Sequence, residues 1–268
     1  MEIIIKPTVA DAQQEAARIL QRQLRQKPAS VLGLATGSTP IGVYAILCQM
    51  HQRGELDFSQ VRTFNLDEYV GLGPEHPCSY RDFMRQHLFS KVNIRPEHIH
   101  FPNGLAADVP VHCAEYEEAI GKTGGIDLQL LGIGRDGHIG FNEPTSSLAS
   151  RTRIKTLTPQ TRKDNANCFG GPERVPHHVI TMGVGTIMDA RQCLLLATGD
   201  AKAAAVAGMV EGPITADLPA SILQMHPVCT LIIDEPAAVR LKRADYYRWV
   251  YANKPKWQQV SPPPGGVG

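Results

Sequence analysis

The sequence predicts an α/β fold, an open and mostly parallel sheet with helices on both faces. Two observations carry this. Short apolar runs ending in glycine or acidic turns alternate along the chain with stretches of helical period. A chain of 268 residues, 43% of them apolar, can also enclose one large core, so a single domain is expected.

In chain order, Ile3 to Ile5 is a short strand. Thr8 with Asp11 has the spacing of a helix start, and Ala16, Ala17, Ile19, Leu20 and Leu24 recur at helical period behind it. Val31 to Ala35 is a compact strand that ends in Thr36–Pro40, and Val43, Ala45, Ile46, Leu47 and Met50 mark the next helix. Val61 to Leu66 is strand-like, Tyr80 to Val92 helix-like, and Ile126 to Ile133 a buried strand. Val179 to Gly183, Leu194 to Thr198 and Val228 to Ile233 are further strands, with helices over Ala201 to Val210 and Ala237 to Val250. In such folds ligands bind at the carboxyl ends of the strands. The irregular stretch 157–178, rich in proline and glycine, is expected to be a functional loop, and 253–268 a tail whose proline- and glycine-rich end is disordered, leaving a domain over 1–252.

Lys and Arg total 27 against 26 Asp and Glu, so the chain has no basic field for nucleic acid. No run approaches the 18 or so apolar residues of a membrane span, and the start lacks a signal-peptide core, so a cytoplasmic protein is expected. The six cysteines form no CxxC pair and are expected to be free thiols.

Three segments that follow strands carry chemistry. The turn Thr36, Gly37, Ser38, Thr39 before a helix offers backbone N–H groups and hydroxyls to an anion, although a glycine turn can also be a mere connection. Asp67 and Glu68 end an apolar run, and being adjacent on an extended chain only one can face a given pocket, the other being an oriented or solvated carboxylate. Asp136, His138 and Glu143 lie among glycines at 132, 134, 137 and 140; an imidazole flanked by carboxylates is fixed in one tautomer and can move protons near neutral pH. The same three could ligate a metal, but their spacing matches no usual zinc signature and no metal is expected.

The segments ATGSTP (35–40), FNLDEYV (64–70), GIGRDGHIGFNEP (132–144) and SSLASRTRIKT (146–156) together resemble the glucosamine-6-phosphate deaminase family, and the likeness runs from about Ile3 to Trp249. The resemblance implies a Rossmann-like sheet without a dinucleotide site and a hydrolase- or isomerase-type deamination with no redox cofactor. It implies that His138, held by Asp136 and Glu143, opens the sugar ring, and that Asp67 moves a proton between C2 and C1. By resemblance the Thr36–Thr39 turn and Lys202 hold the 6-phosphate, and 157–178 is a lid. Ser146, Arg153, Lys155 and Thr156 match the site at which N-acetylglucosamine 6-phosphate regulates some members, a pocket lying between subunits. Monomer and homo-oligomer, including a hexamer, both remain open.

One departure stands out. Where family members carry a lid arginine followed by aromatic residues, this chain has Asn167, Cys168 and Phe169. Arg162, Lys163 and Arg174 are nearby cations that could substitute. The nearest enzyme alternative is 6-phosphogluconolactonase, which also carries a Gly-Asp-Gly-His turn, though Phe141–Pro144 does not follow its pattern. A sugar-phosphate sensor would add a helix-turn-helix module, for which the N-terminus leaves no room.

Overall fold

Thr8 ends the extended entry chain and accepts a hydrogen bond from the Asp11 N–H, while its hydroxyl donates to the Asp11 carboxylate at 2.6 Å. That cap starts helix α1 (Val9–Gln26) after strand β1 (Glu2–Lys6). The computed structural model describes residues 1–255, so the expected disorder of the 261–268 end lies outside the described residues. The chain continues through β2 (Val31–Leu34), α2 (Ile41–Gln52), β3 (Arg62–Asn65), β4 (Asp67–Tyr69), α3 (Tyr80–His87), β5 (Ile99–His100), α4 (Val109–Lys122) and β6 (Leu128–Leu131). There follow β7 (Arg153–Thr156), α5 (Pro159–Asp164), β8 (His178–Thr181), α6 (Val184–Met188), β9 (Cys193–Ala197), α7 (Ala203–Glu211), β10 (Cys229–Asp234), α8 (Glu235–Ala238) and α9 (Ala244–Ala252).

Seven strands form a parallel sheet in the order β1-β10-β9-β6-β2-β3-β5. Period-2 alternation of apolar residues gives it two packed faces. Leu194 and Leu196 join Leu32, Leu34 and Ile4 under α1 and α2, whereas Leu195 and Ala197 join Ile233, Val206 and Ile120 under α4 and α7. From β2 the chain builds outward through β3 and β5; it then returns to the other side of β2 with β6 and builds through β9 and β10. The crevice between β2 and β6 is therefore the topological switch point, where an open α/β sheet binds its ligand.

Three readings are corrected by the structure. The Val179–Gly183 strand is not part of the parallel sheet: β8 lies between β4 and β7 in a separate three-stranded antiparallel sheet. An apolar run marks a buried strand but not its partners. The helix expected over Ala237–Val250 is two, α8 and α9, and that expected over Tyr80–Val92 ends at His87 before a 3-10 turn at Phe89–Lys91. Helix α4 was not foreseen; only Cys113, Tyr116 and Ile120 of its fourteen residues are buried, so its periodicity is faint.

Candidate active site

The turn after β2 leaves the sheet at the switch point. Gly37 has φ +97°, a left-handed conformation that suits glycine. The turn is fixed from behind by the Tyr44 hydroxyl, which donates to Ala35 O at 2.5 Å, and by Gln13 Nε2, which donates to Thr39 O at 3.3 Å. Helix α2 begins at Ile41, so its N-terminal end and positive dipole meet whatever anion the turn receives.

The turn after β6 carries His138. Its Nδ1 lies 2.8 Å from Asp136 Oδ1 and 3.7 Å from Glu143 Oε2. Both are ion-pair contacts, and Asp136 Oδ1 also accepts the His138 backbone N–H at 3.2 Å. A Cβ on Gly134 would overlap the His138 ring, so glycine there is what admits the imidazole. Burial alone would push the His138 pKa down, but the two carboxylates outweigh it and raise it to about 9. Burial likewise raises the Asp136 carboxyl, and His138 overcomes this to hold it well below the usual range. Asp136, His138 and Glu143 are also the group that could hold a divalent ion among the described residues, their ligand atoms lying within 4.8 Å of one another.

Asp67 opens β4 and is buried. Desolvation, reinforced by the Glu68 charge and opposed by His138, raises its pKa to about 8. Glu68 points the other way. Its carboxylate accepts from the N–H groups of Tyr69 at 2.9 Å, Tyr80 at 3.0 Å and Arg81 at 3.0 Å, and so fixes the start of α3 to β4. Of the adjacent carboxylates, Asp67 faces the cavity and Glu68 is structural.

Segment 157–178 crosses the front of the site. Thr158 caps α5, and its N–H donates to Glu143 Oε1 at 3.2 Å, which joins the segment to the residue behind His138. Further along, Cys168 is disulfide-bonded to Cys78, 90 residues away, with Cα atoms 5.6 Å apart. The expectation of six free thiols is therefore corrected; Cys48, Cys113, Cys193 and Cys229 are free and buried. The bridge arises because the folded segment meets the loop before α3, a proximity with no trace in the cysteine spacing.

These elements enclose a cavity of about 460 Å³. Thr36, Gly37, Ser38, Thr39, Asp67, His138 and Lys202 line it, whereas Asp136 and Glu143 stand behind the imidazole. Asn167 lines it too. Of the proposed substitute cations, Arg162 is occupied, its guanidinium donating to Val175 O at 2.9 and 3.1 Å and to Glu173 O at 3.1 Å, and neither Lys163 nor Arg174 is among the lining residues. Arg135 is, close enough to Lys202 to join burial in lowering its pKa and 3.9 Å from Asp164. Sequence reading overlooked Arg135 although it sits within the His138 turn. Tyr80, half-buried and with its hydroxyl 3.2 Å from that of Tyr69, was overlooked as well.

The four regulatory candidates lie elsewhere. Arg153 and Lys155 share the half-buried face of β7, as their spacing of two requires, and Thr156 is exposed on the other face. Ser146 is buried with its hydroxyl unpartnered. Arg153 Nη1 donates to Asn142 Oδ1 at 2.9 Å.

A parallel sheet whose switch-point cavity joins a glycine turn at a helix N-terminus to a buried carboxylate and a carboxylate-held imidazole has the groups of an acid–base enzyme for a small anionic substrate. Comparison with known proteins agrees: the profile of the glucosamine-6-phosphate isomerases/6-phosphogluconolactonase family matches residues 6–231, and the chain belongs to that family. It is 57% identical over 258 residues to a glucosamine-6-phosphate deaminase of Arthrobacter sp. (strain FB24), covering 96% of this chain and 99% of that protein. It is 54% identical over 261 residues to one of Streptomyces coelicolor, covering 97% and 100%. The solved structure of a monomeric glucosamine-6-phosphate deaminase superposes with a TM-score of 0.88 at 44% identity, covering 90% of this chain and all of that one. A 6-phosphogluconolactonase from Trypanosoma cruzi, at TM-score 0.73 and 21% identity, shares the fold.

Proposed function

We infer that this chain is a cytoplasmic glucosamine-6-phosphate deaminase, converting glucosamine 6-phosphate and water to fructose 6-phosphate and ammonia. The observation that carries this is the single cavity of about 460 Å³ that joins Asp67 and His138 to the Thr36–Thr39 turn and Lys202, within the size range of small-ligand sites. The turn, the α2 N-terminus and Lys202 hold the 6-phosphate. His138, protonated at neutral pH by its two carboxylates, gives a proton to the ring oxygen as the pyranose opens. Asp67 then takes the C2 proton and returns it to C1, which leaves an imine at C2; water adds there and ammonia departs. One base serves both carbons, so the proton need not exchange fully with solvent. No hydride moves, so the reaction requires no nicotinamide, and proton transfer by these side chains requires no metal. The likeness to a structure described as monomeric supports a monomer that works alone.

The test is ammonium release coupled to fructose 6-phosphate formation, with and without chelator. Equal amounts of the two products, unchanged by chelator, are expected. Hydrolysis of 6-phosphogluconolactone without ammonium release from the amino sugar would put the chain with its lactonase relatives, and activity lost in chelator and restored by a divalent ion would assign Asp136, His138 and Glu143 to a metal.

A further inference from the structure

We propose that Cys78 and Cys168 form a thiol–disulfide exchange site that sets how firmly the lid closes over substrate, the covalent bridge standing in for the cation that the lid tip lacks. This rests on the deaminase reading above. The two cysteines line the catalytic cavity from segments far apart in sequence: Cys78 precedes Ser79, the N-cap of α3, and Cys168 lies between Asn167 and Phe169 at the tip of segment 157–178. From Ala166 to Gly171 the tip has no charged side chain, so it cannot close by attraction to a phosphate. Both flanks are anchored, by Thr158 on Glu143 and by Arg162 on the carbonyls of Glu173 and Val175. Between them Phe169 packs edge-on against Tyr69 at 5.2 Å, and the disulfide is the covalent link from tip to wall.

The pair is suited to exchange. Cys168 is exposed and Cys78 buried, so a thiolate of a dithiol reductant reaches the Cys168 sulfur. The S–S bond breaks, Cys78 leaves as thiolate, and a mixed disulfide forms on Cys168. The second thiol of the reductant attacks that bond and releases Cys168; the reductant becomes a disulfide, two electrons pass to the cysteine pair, and two protons restore the thiols. The other four cysteines stay out of the exchange because they are buried, and burial holds their thiols above the usual pKa. A disulfide in a cytoplasmic protein is typically a transient or sensing one. Oxidised, the lid tip is ordered before substrate arrives; reduced, the substrate must order it, which costs affinity. Asp67 and His138 lie on other elements, so turnover is spared.

The experiment compares air-oxidised and dithiothreitol-reduced enzyme by maleimide labelling under native conditions, by steady-state kinetics on glucosamine 6-phosphate, and by trypsin cleavage at Arg162, Lys163 and Arg174. Reduction should add two labelled thiols, raise KM by about ten-fold with kcat within two-fold, and speed cleavage. Cys78→Ser and Cys168→Ser should behave as the reduced enzyme under both conditions, and reoxidation should restore the wild type alone. Equal KM and equal cleavage in the two redox states would overturn the proposal, as would serine variants that still respond to reductant. If the chain releases no ammonium in either state the deaminase reading fails, and the trypsin comparison still decides the tether.

Discussion

Asp67 and Thr181 are register partners across the small antiparallel sheet, and Arg153 pairs with Thr181 from its other side. Thr181 Oγ1 also accepts the Phe141 N–H at 3.0 Å, so one side chain joins the strand of the proposed base to the turn that carries His138. Gly140 fits between them with φ +55°, where a Cβ would stand 2.9 Å from Thr181 Oγ1 and 3.5 Å from Asp67 Oδ2. The small sheet thus ties the strand of Asp67 to the turn that carries His138.

Replacing Thr181 by valine keeps the shape and leaves the buried Phe141 N–H without its acceptor, which costs about 1–3 kcal/mol of local stability. We expect kcat to fall roughly 10- to 100-fold as His138 shifts relative to Asp67, with KM nearly unchanged because the proposed phosphate turn is on another element. Steady-state kinetics of Thr181→Val check this, and an unchanged kcat would remove the sheet from the account.

Asp67→Asn should lower kcat about 10²- to 10⁴-fold and yet stabilise the protein at alkaline pH. The folded pKa of about 8 lies above the ordinary value of 3.8, so between about pH 4 and 8 the native state keeps a proton that the unfolded chain has lost. Stability is therefore lost as pH rises through that window, and the asparagine variant escapes the loss, gaining up to a few kcal/mol above pH 8. His138 contributes stability that is present below its ordinary 6.5 and lost as pH rises through about 9, a slope both proteins share. Denaturant melts at pH 6 and 8.5 measure the difference; a variant less stable than wild type at pH 8.5 would contradict it. The same two values place the limbs of the wild-type kcat/KM profile near pH 8 and 9.

The His138 turn could be read from sequence because its acid, imidazole and second acid fall within eight residues and share one loop. Asp67 was legible for a similar reason, as a carboxylate ending a buried strand. What escaped depends on contacts between distant segments. Glu68 is assigned by N–H groups 12 and 13 residues away on α3, the disulfide by a separation of 90, and β8 by antiparallel partners that its apolar pattern does not name. Arg135 was in plain view inside the motif, but only the fold turns it toward Lys202.

With Asn167 in segment 157–178, Lys202 and Arg135 are the Lys and Arg side chains that line the cavity among the described residues, beside the proposed phosphate turn. Lys202→Met and Arg135→Met should each raise KM by roughly 5- to 100-fold with little change in kcat, as loss of a charge-assisted hydrogen bond to a remote group predicts. Asn167→Arg should lower KM several-fold. If Arg135→Met kept the wild-type KM while Lys202→Met did not, Arg135 would be a surface residue that merely pairs with Asp164.

Arg153, Lys155, Thr156 and Ser146 do not converge on one cavity within the chain, because Thr156 faces away and Ser146 is buried. N-acetylglucosamine 6-phosphate is therefore expected to leave initial rates unchanged if the chain works as a single copy. Light scattering beside the kinetics checks this; activation accompanied by a rise in mass would show the site to be assembled between copies.

In the proposed mechanism Asp67 carries one proton from C2 to C1 within a closed site. The most direct measurement uses glucosamine 6-phosphate deuterated at C2 and follows, by NMR, the deuterium at C1 of fructose 6-phosphate together with the ammonium released. One ammonium per fructose 6-phosphate is expected, with deuterium retained at C1 in a measurable share of the product. Ammonium release with C1 carrying only solvent protons, or fructose 6-phosphate formed at the wild-type rate by Asp67→Asn, would contradict it.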